Sequence, residues 1–440
     1  MPKKKRIQSI VSVIVIFTAA ALMPTEDSSF AAVTQVTPSV SITEEYTDNY
    51  NQTEDDTEEE WSTTYQLGLL FEYLAPKAQT TLWYSPSYVD YDDYDDNDSW
   101  EHDASLNSTF ELTRYTDLTF SDSFARRREI NRRTGTWTDH DTNFMTARLT
   151  NRFGRDSQVG LGYSYDFDDY DQPNADEYDR HGPTVFLTYW LDAKHGLDSS
   201  IWYERTEFDL TDNDEDVFAG DIRLIRRLTK QFQVYVKYAH SYSEDDFEEH
   251  TVYNPSVGFD WEVSETSSVS AGAGVLFNRY DEQEDSEDFF FEVDAFKLFP
   301  FSRRGSFSLS ASSGYDESGD EAASLGFVIY YRVGFNYNYE LTKRSSLDIS
   351  GYYRREDYNE EYADRVDNTL DLSAGINWTP LKWMTLSTYY SYTNFDTDAG
   401  FRNDYEENRV AVTVSLYPYR PARINPLAMR DAVEGRIFDR

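Results

Sequence analysis

The sequence predicts an all-β fold: a transmembrane antiparallel up-and-down β-barrel of about twenty strands, within bounds of roughly eighteen and twenty-two. Three observations predict it. Segments of ten or so residues alternate apolar and polar side chains along nearly the whole chain. Their connections alternate between short ones (Ala75-Pro76-Lys77, Gly154-Arg155-Asp156, Ser264-Glu265-Thr266, Thr342-Lys343-Arg344) and longer acidic ones (92–98, 212–216, 282–288). Tyrosine dominates the aromatics, with 35 residues, which suits girdles at both membrane interfaces, where a ring is apolar at one end and wet at the other. Only a closed sheet can sit in lipid with every backbone group paired.

The chain begins with a targeting segment. Pro2-Lys3-Lys4-Lys5-Arg6 is basic, and the apolar run from Ile10 to Leu22 is shorter than the roughly 20 residues a spanning helix needs. Ser29-Phe30-Ala31 offers a small-x-small cleavage site. Residues 1–31 are therefore expected to be a signal peptide, with the mature chain starting near Ala32. No later run is long enough for a membrane helix. The barrel is expected over 32–419 and a periplasmic tail over 420–440.

Strand alternation is clearest near the end. Val410, Val412, Val414 and Leu416 alternate with Ala411, Thr413, Ser415 and Tyr417. Leu370, Leu372, Ala374, Ile376 and Trp378 do so with Asp371, Ser373, Gly375 and Asn377. Val159, Leu161, Tyr163, Tyr165 and Phe167 do so with Gly160, Gly162, Ser164 and Asp166. Strands are expected to begin near Val36, Trp61, Ala78, His102, Asp117, Asp141, Gln158, Arg180, Leu197 and Asp216. Ten more begin near Gln231, Thr251, Ser268, Glu287, Gly305, Ser324, Ser346, Asp367, Trp383 and Glu407. An even number returns both ends to one side of the membrane. In the tail, Asn425-Pro426 reads as a helix start, and Met429, Val433 and Ile437 share one helical face. The tail is either a frayed helix, a docking peptide for a periplasmic partner, or a plug.

Composition narrows the function. The net charge of −41 excludes nucleic acid as a partner. The mean hydropathy of −0.70 is compatible with a barrel, because only every second strand residue meets lipid. Without cysteine there are no disulfides, thiolate metal sites or covalent haem, and no cofactor is implied.

Acidic residues pile up in the long connections, including Asp92, Asp93, Asp95, Asp96, Asp168 and Asp169. They form a solvated, self-repelling surface, or one that divalent cations bridge to anionic lipopolysaccharide of the outer membrane. A mouth ringed by carboxylates favours cations. Arg148, Arg152, Arg223 and Arg227 fall on the inward phase of their strands. Arg126, Arg127, Arg128, Arg132 and Arg133 cluster near the outer end of a hairpin. Inward arginines either pair with inward acids such as Asp166 and Asp260, or form a basic strip that guides an anionic polymer. Six histidines (His102, His140, His181, His195, His240 and His250) form no metal or catalytic pair, His140 and His250 falling in loop-like stretches. An enzyme is not expected.

The segment Val36-Thr37-Pro38-Ser39-Val40-Ser41-Ile42-Thr43-Glu44-Glu45-Tyr46-Thr47-Asp48-Asn49 resembles the opening of a family of outer-membrane β-barrel porins of Gram-negative bacteria. In that family a Pro-x-hydrophobic strand leads into a Tyr-Thr-Asp-Asn turn, and several members are encoded with exopolysaccharide or exosortase systems. The resemblance covers about fourteen residues and implies a barrel of unassigned substrate, with passage of secreted polysaccharide as one candidate; it carries over no catalytic residue. The expectation is thus a porin-like channel of the bacterial outer membrane, with a periplasmic polysaccharide-export partner contacted through the tail. The alternatives are a non-conducting sheath around a protein such as a cytochrome, or a barrel-borne lipid enzyme.

Overall fold

Twenty antiparallel strands close on themselves in the computed structural model. It describes residues 33–55, 57–131, 136–171, 177–209, 214–244, 249–280, 286–302, 304–316, 328–358, 365–398 and 404–418. The strands are β1 (Val33–Thr47), β2 (Glu60–Ala75), β3 (Ala78–Tyr91), β4 (Ser99–Thr113), β5 (Thr116–Asn131), β6 (Thr136–Arg152) and β7 (Gln158–Tyr170). They continue as β8 (Tyr178–Trp190), β9 (His195–Phe208), β10 (Glu215–Arg227), β11 (Phe232–Glu244), β12 (Glu249–Ser264), β13 (Ser267–Tyr280) and β14 (Ser286–Ser302). The last six are β15 (Gly305–Asp316), β16 (Val328–Thr342), β17 (Ser345–Tyr358), β18 (Arg365–Leu381), β19 (Met384–Thr397) and β20 (Tyr405–Leu416). Each pairs with the next, and β20 pairs with β1.

The alternation explains the closure. Residues opposite one another on neighbouring strands share a face. Following the register around the ring keeps one set of positions outward throughout: Val40 and Ile42 on β1, Leu67 and Leu69 on β2, Val185 on β8, Ile201 on β9, Val236 on β11, Val257 on β12. These side chains are exposed on the outer wall, as lipid-facing residues must be. The other set is polar or small, such as Ser41, Thr43, Gly160, Gly162, Ser270 and Ser310. Asp122 of β5 is an outward carboxylate within the apolar band. It is buried and accepts a hydrogen bond from Asn143 Nδ2 at 2.8 Å, which satisfies it where lipid cannot. Prolines mark gaps in pairing: the ladder skips Pro86 against β2, Pro183 against β9 and Pro255 against β13.

Twenty strands about 4.8 Å apart and tilted about 40° give a backbone diameter of roughly 35–40 Å. Nine connections are short and lie at the end holding the first strand's start and the last strand's finish; the long ones lie at the other end. In barrels of this kind the short turns face the periplasm.

The strand number is as the alternation predicts, but several boundaries shift. β6 starts at Thr136, not near Asp141, and β16 at Val328, not near Ser324. Asp168 and Asp169, expected in a loop, belong to β7; His140 and His250, expected in loop-like stretches, belong to β6 and β12. The cause is that alternation records contact with lipid, whereas strand pairing continues past the bilayer into water. The expected signal peptide, the tail from residue 420, Arg132 and Arg133 lie outside the described residues.

Candidate functional site

The lumen wall and its two rims are the features with chemistry to offer. The four expected arginines sit on the inward set by register: Arg148 opposite Gly162, Arg152 opposite Gln158, Arg223 opposite Asp198 and Lys237, Arg227 opposite Gln233. Three of them lie over rings. The Arg148 guanidinium is 3.7 Å from the Phe186 ring centre, Arg223 is 3.7 Å from Tyr235, and Arg227 is 3.9 Å from Trp190. Such stacking contributes about 0.5–2 kcal/mol and holds the charge against the wall. Glycine leaves room for two of these rings. A Cβ built on Gly160 would come within 2.2 Å of Phe186, and one on Gly258 within 2.4 Å of Tyr235.

Ion pairing differs among the four. Arg223 pairs with Asp260, which also accepts from Gln233 Nε2 and Ser270 Oγ, each at 2.7 Å. Arg152 pairs with Asp117 at 2.6 Å, and Arg227 lies 3.7 Å from Asp156. Asp166 is taken by Arg180, at 3.8 Å. Arg148 is exposed to the lumen and has no carboxylate partner among the described residues. Higher up, Arg126, Arg127 and Arg128 of β5 are engaged with Asp141, Asp103 and Asp139, at 3.2, 3.1 and 3.5 Å.

The acidic residues divide. Asp92, Asp93, Asp95 and Asp96 are exposed in the β3–β4 loop, where residues 95–97 form one 3-10 turn. Asp168 faces inward and is buried against His140, whose other ring nitrogen meets Glu129; Tyr170 stacks on that imidazole with ring centres 4.1 Å apart. Asp169 has the opposite phase. With a carboxylate at each nitrogen, His140 must carry both protons for both contacts to be hydrogen bonds. Among the described residues, no group of three or more His, Asp or Glu is arranged to hold a metal ion.

Aromatic contacts tie the outer loops together. Tyr50 in the β1–β2 loop is stacked between Tyr94 (4.7 Å) and Trp137 (4.5 Å), and its hydroxyl accepts from Asn97 Nδ2 at 2.9 Å. Burial pushes the Tyr50 phenol above its ordinary value. The Tyr94 hydroxyl donates to Glu58, which pushes Tyr94 up to about 12 and holds the Glu58 carboxyl below its usual range. Replacing Tyr50 with alanine removes two stacked pairs, each contributing about 0.5–1.5 kcal/mol beyond burial. Faster proteolysis of the 48–59 and 92–98 loops in intact cells is the expected result; an unchanged cleavage rate would show that the cluster does not hold them.

The turns carry a feature that was not singled out from the sequence. Lys77, Arg114, Arg155, Lys194 and Lys230 are exposed in short connections, as are Arg304, Lys343, Arg344 and Lys382 around the rest of the rim. Their acidic neighbours are fewer: Asp156, Asp192 and Glu265. Asp192 accepts from the His195 ring at 2.9 Å and from the Lys194 and His195 N–H groups at 2.6 and 2.8 Å, which holds its carboxyl down to about 2. At the opposite rim, the described residues of the long connections include no Lys or Arg. Among the described residues, the short turns carry more bases than acids and the long connections carry acids. The signal was present in the quoted turns, since Lys77, Arg155, Lys343 and Arg344 stand in them.

No family model matches this sequence, and no curated protein does. Solved structures do. A mutant of the ferric enterobactin receptor PfeA from Pseudomonas aeruginosa, in complex with enterobactin, matches with a TM-score of 0.51 at 9% identity, over 87% of this chain and 81% of that one. Pseudomonas aeruginosa OpdO matches with a TM-score of 0.41 at 14% identity, over 88% of this chain and 98% of that one, too low for the overlap to carry weight. At such identities a likeness speaks for fold alone. With the closed ring, its apolar exterior and its polar lumen, it places this chain as a twenty-stranded β-barrel of the bacterial outer membrane.

Proposed function

We propose that the barrel is a porin-like channel that passes an anionic polysaccharide from the periplasm outward, with a periplasmic export partner held by the tail over 420–440. The observation that carries this reading is Arg148. It is a lumen-facing cation, laid on Phe186 and free of carboxylate pairing among the described residues. A planar guanidinium over a ring can bind a uronate carboxylate bidentately and present an apolar face to a sugar. The basic rim gathers anions at the entry, and the lumen arginine gives them a site beyond it. The opening segment's resemblance to porins encoded with exopolysaccharide systems points the same way.

The test uses the mature barrel in planar bilayers at low salt, where the rim charges act across the opening, with oligouronates added to one side. Transient blocks of the open current are expected, more often from the short-turn side, and rarer by about tenfold in Arg148→Ala, the loss of roughly 1.4 kcal/mol. Open channels that oligouronates never block would sink the polymer reading and leave the channel. No conductance at all would sink both.

A further inference from the structure

The outer wall repeats a pattern every fourth strand in its loop-side half. β5, β9, β13 and β17 each carry an aromatic residue and, two positions nearer the loops, an arginine. The pairs are Phe124 with Arg126, Tyr203 with Arg205, Phe277 with Arg279, and Tyr353 with Arg355. All are outward by register. Phe277 is opposite Tyr253, in phase with Val257; Tyr353 is opposite the exposed Val333; Tyr203 is in phase with Ile201, and Phe124 with Asp122. Among the described residues, no other strand turns a Lys or Arg outward in that half. The four places are spaced by a fifth of the circumference. β1 holds the fifth, where Tyr46-Thr47-Asp48 ends in a carboxylate instead, and Asp48 accepts from Asn408 N and Nδ2 at 2.7 and 2.8 Å.

The flanking residues fix the depth of these arginines. Toward the short turns, the outward positions are apolar: Leu197 and Ile201 on β9, Val269 and Val275 on β13, Leu347 and Ile349 on β17. Toward the loops they turn acidic, with Glu207 on β9 and Asp357 on β17. The guanidiniums therefore stand at the level of the outer-leaflet headgroups. Carboxylates hold them there. Arg126 Nε lies 3.2 Å from Asp141, Arg279 Nη2 3.7 Å from Glu287, and Arg355 Nε 2.8 Å from Asp357. Arg205 meets Glu207 at 2.9 Å and Asp214 at 2.7 Å. All four side chains are still between 35% and 46% exposed. A guanidinium has five N–H donors, so a carboxylate on one edge leaves another edge for a second anion. Two of the four also have an imidazole opposite them in the ladder, His102 beside Arg126 and His181 beside Arg205. Each imidazole is tied through Nδ1 to a tyrosine hydroxyl, Tyr84 at 3.0 Å and Tyr163 at 2.7 Å.

We propose that each aromatic–arginine pair seats one phosphorylated glycolipid of the outer leaflet. The guanidinium takes a headgroup phosphate, and the ring, about 7 Å further along the strand, packs on the sugar that carries it. The occupant is a lipid because the wall directly below each ring is apolar and faces acyl chains. The sites lie outside the barrel, so they hold whatever crosses the lumen.

The test is native mass spectrometry of the mature barrel in detergent, with EDTA present and bisphosphorylated lipid A added. EDTA removes divalent cations, so the loop carboxylates cannot hold the lipid through a metal ion. Four bound lipid A molecules are expected at saturation, and one fewer in each of Arg126→Gln, Arg205→Gln, Arg279→Gln and Arg355→Gln. Exposed ion pairs contribute little to stability, and each variant should keep the heat-modifiable gel migration of a folded barrel. Arg226→Gln removes an exposed outward arginine at the short-turn end and should leave all four. Dephosphorylated lipid A, and phosphatidylglycerol, which has a phosphate but no sugar, should bind at least tenfold more weakly. Unchanged stoichiometry in the four variants overturns the proposal. So does equal binding of either of those two lipids, or displacement of lipid A by inorganic phosphate alone, which would mark a site for soluble anions.

Discussion

In planar bilayers at about 0.01 M salt, the mature barrel is expected to pass potassium over chloride by a ratio on the order of ten, and to lose nearly all of that preference at 1 M. The magnitude follows from comparing two lengths. The mouth has a radius of roughly 18–20 Å by strand number. The Debye length is about 30 Å at 0.01 M, so the fields of Asp92, Asp93, Asp95 and Asp96 and of the other outer carboxylates overlap across the opening. At 1 M it is about 3 Å, and each carboxylate is screened within its own loop. Replacing those four aspartates with asparagine should lower the low-salt ratio without changing conductance at 1 M. The basic turns add a second expectation. With acid at one end and base at the other, current at low salt should depend on the sign of the voltage. A ratio that ignores salt, or favours chloride, would show that the outer acids do not control the entrance.

The largest stability effect is expected at Asp367. Arg365 and Asp367 are each 2% exposed at the loop end of β18. Arg365 Nε donates to Asp367 Oδ1 at 2.9 Å, the Thr397 hydroxyl also meets Asp367, and the guanidinium lies 4.6 Å from the Tyr358 ring centre. Removing one member of a buried, hydrogen-bonded pair costs about 3–5 kcal/mol. Asp367→Ala should therefore lower the urea midpoint of the detergent-refolded barrel by that equivalent, with an unchanged slope. The exposed pair of Arg205 and Asp214, 2.7 Å apart, gives the contrast. Its side chains are 39% and 42% exposed, and Asp214→Ala should cost about 1 kcal/mol or less. Equal effects at the two sites would mean that burial does not set the energetics of these pairs.

Much of this architecture was legible because lipid imposes a rule that residues obey one by one. Ala78, Gln158 and Gly305 begin strands at the positions expected from the alternation. The outer ends were illegible for the same reason. Where β6 and β7 rise past the bilayer, His140, Asp168 and Asp169 face water or protein on both sides, so their polarity says nothing of the backbone. The inward phase of Arg148, Arg152, Arg223 and Arg227 could be read along single strands. That Arg148 would lie on Phe186, or Arg223 on Tyr235, could not, because those contacts depend on register across neighbouring strands. The pairing of Arg223 with Asp260 crosses two strand boundaries, which no local pattern records.

The order of strands around the ring also dictates an order of events. Nineteen contacts join neighbours in the chain and can zip as each hairpin emerges, whereas the twentieth joins Val40 to Leu416 across nearly the whole polypeptide. Until that contact forms, the nascent protein is a curled ribbon with two raw borders. Insertion must therefore be slow at its final step and prone to sticking to strangers, so whatever escorts the newborn chain has to guard its first and last strands until they meet.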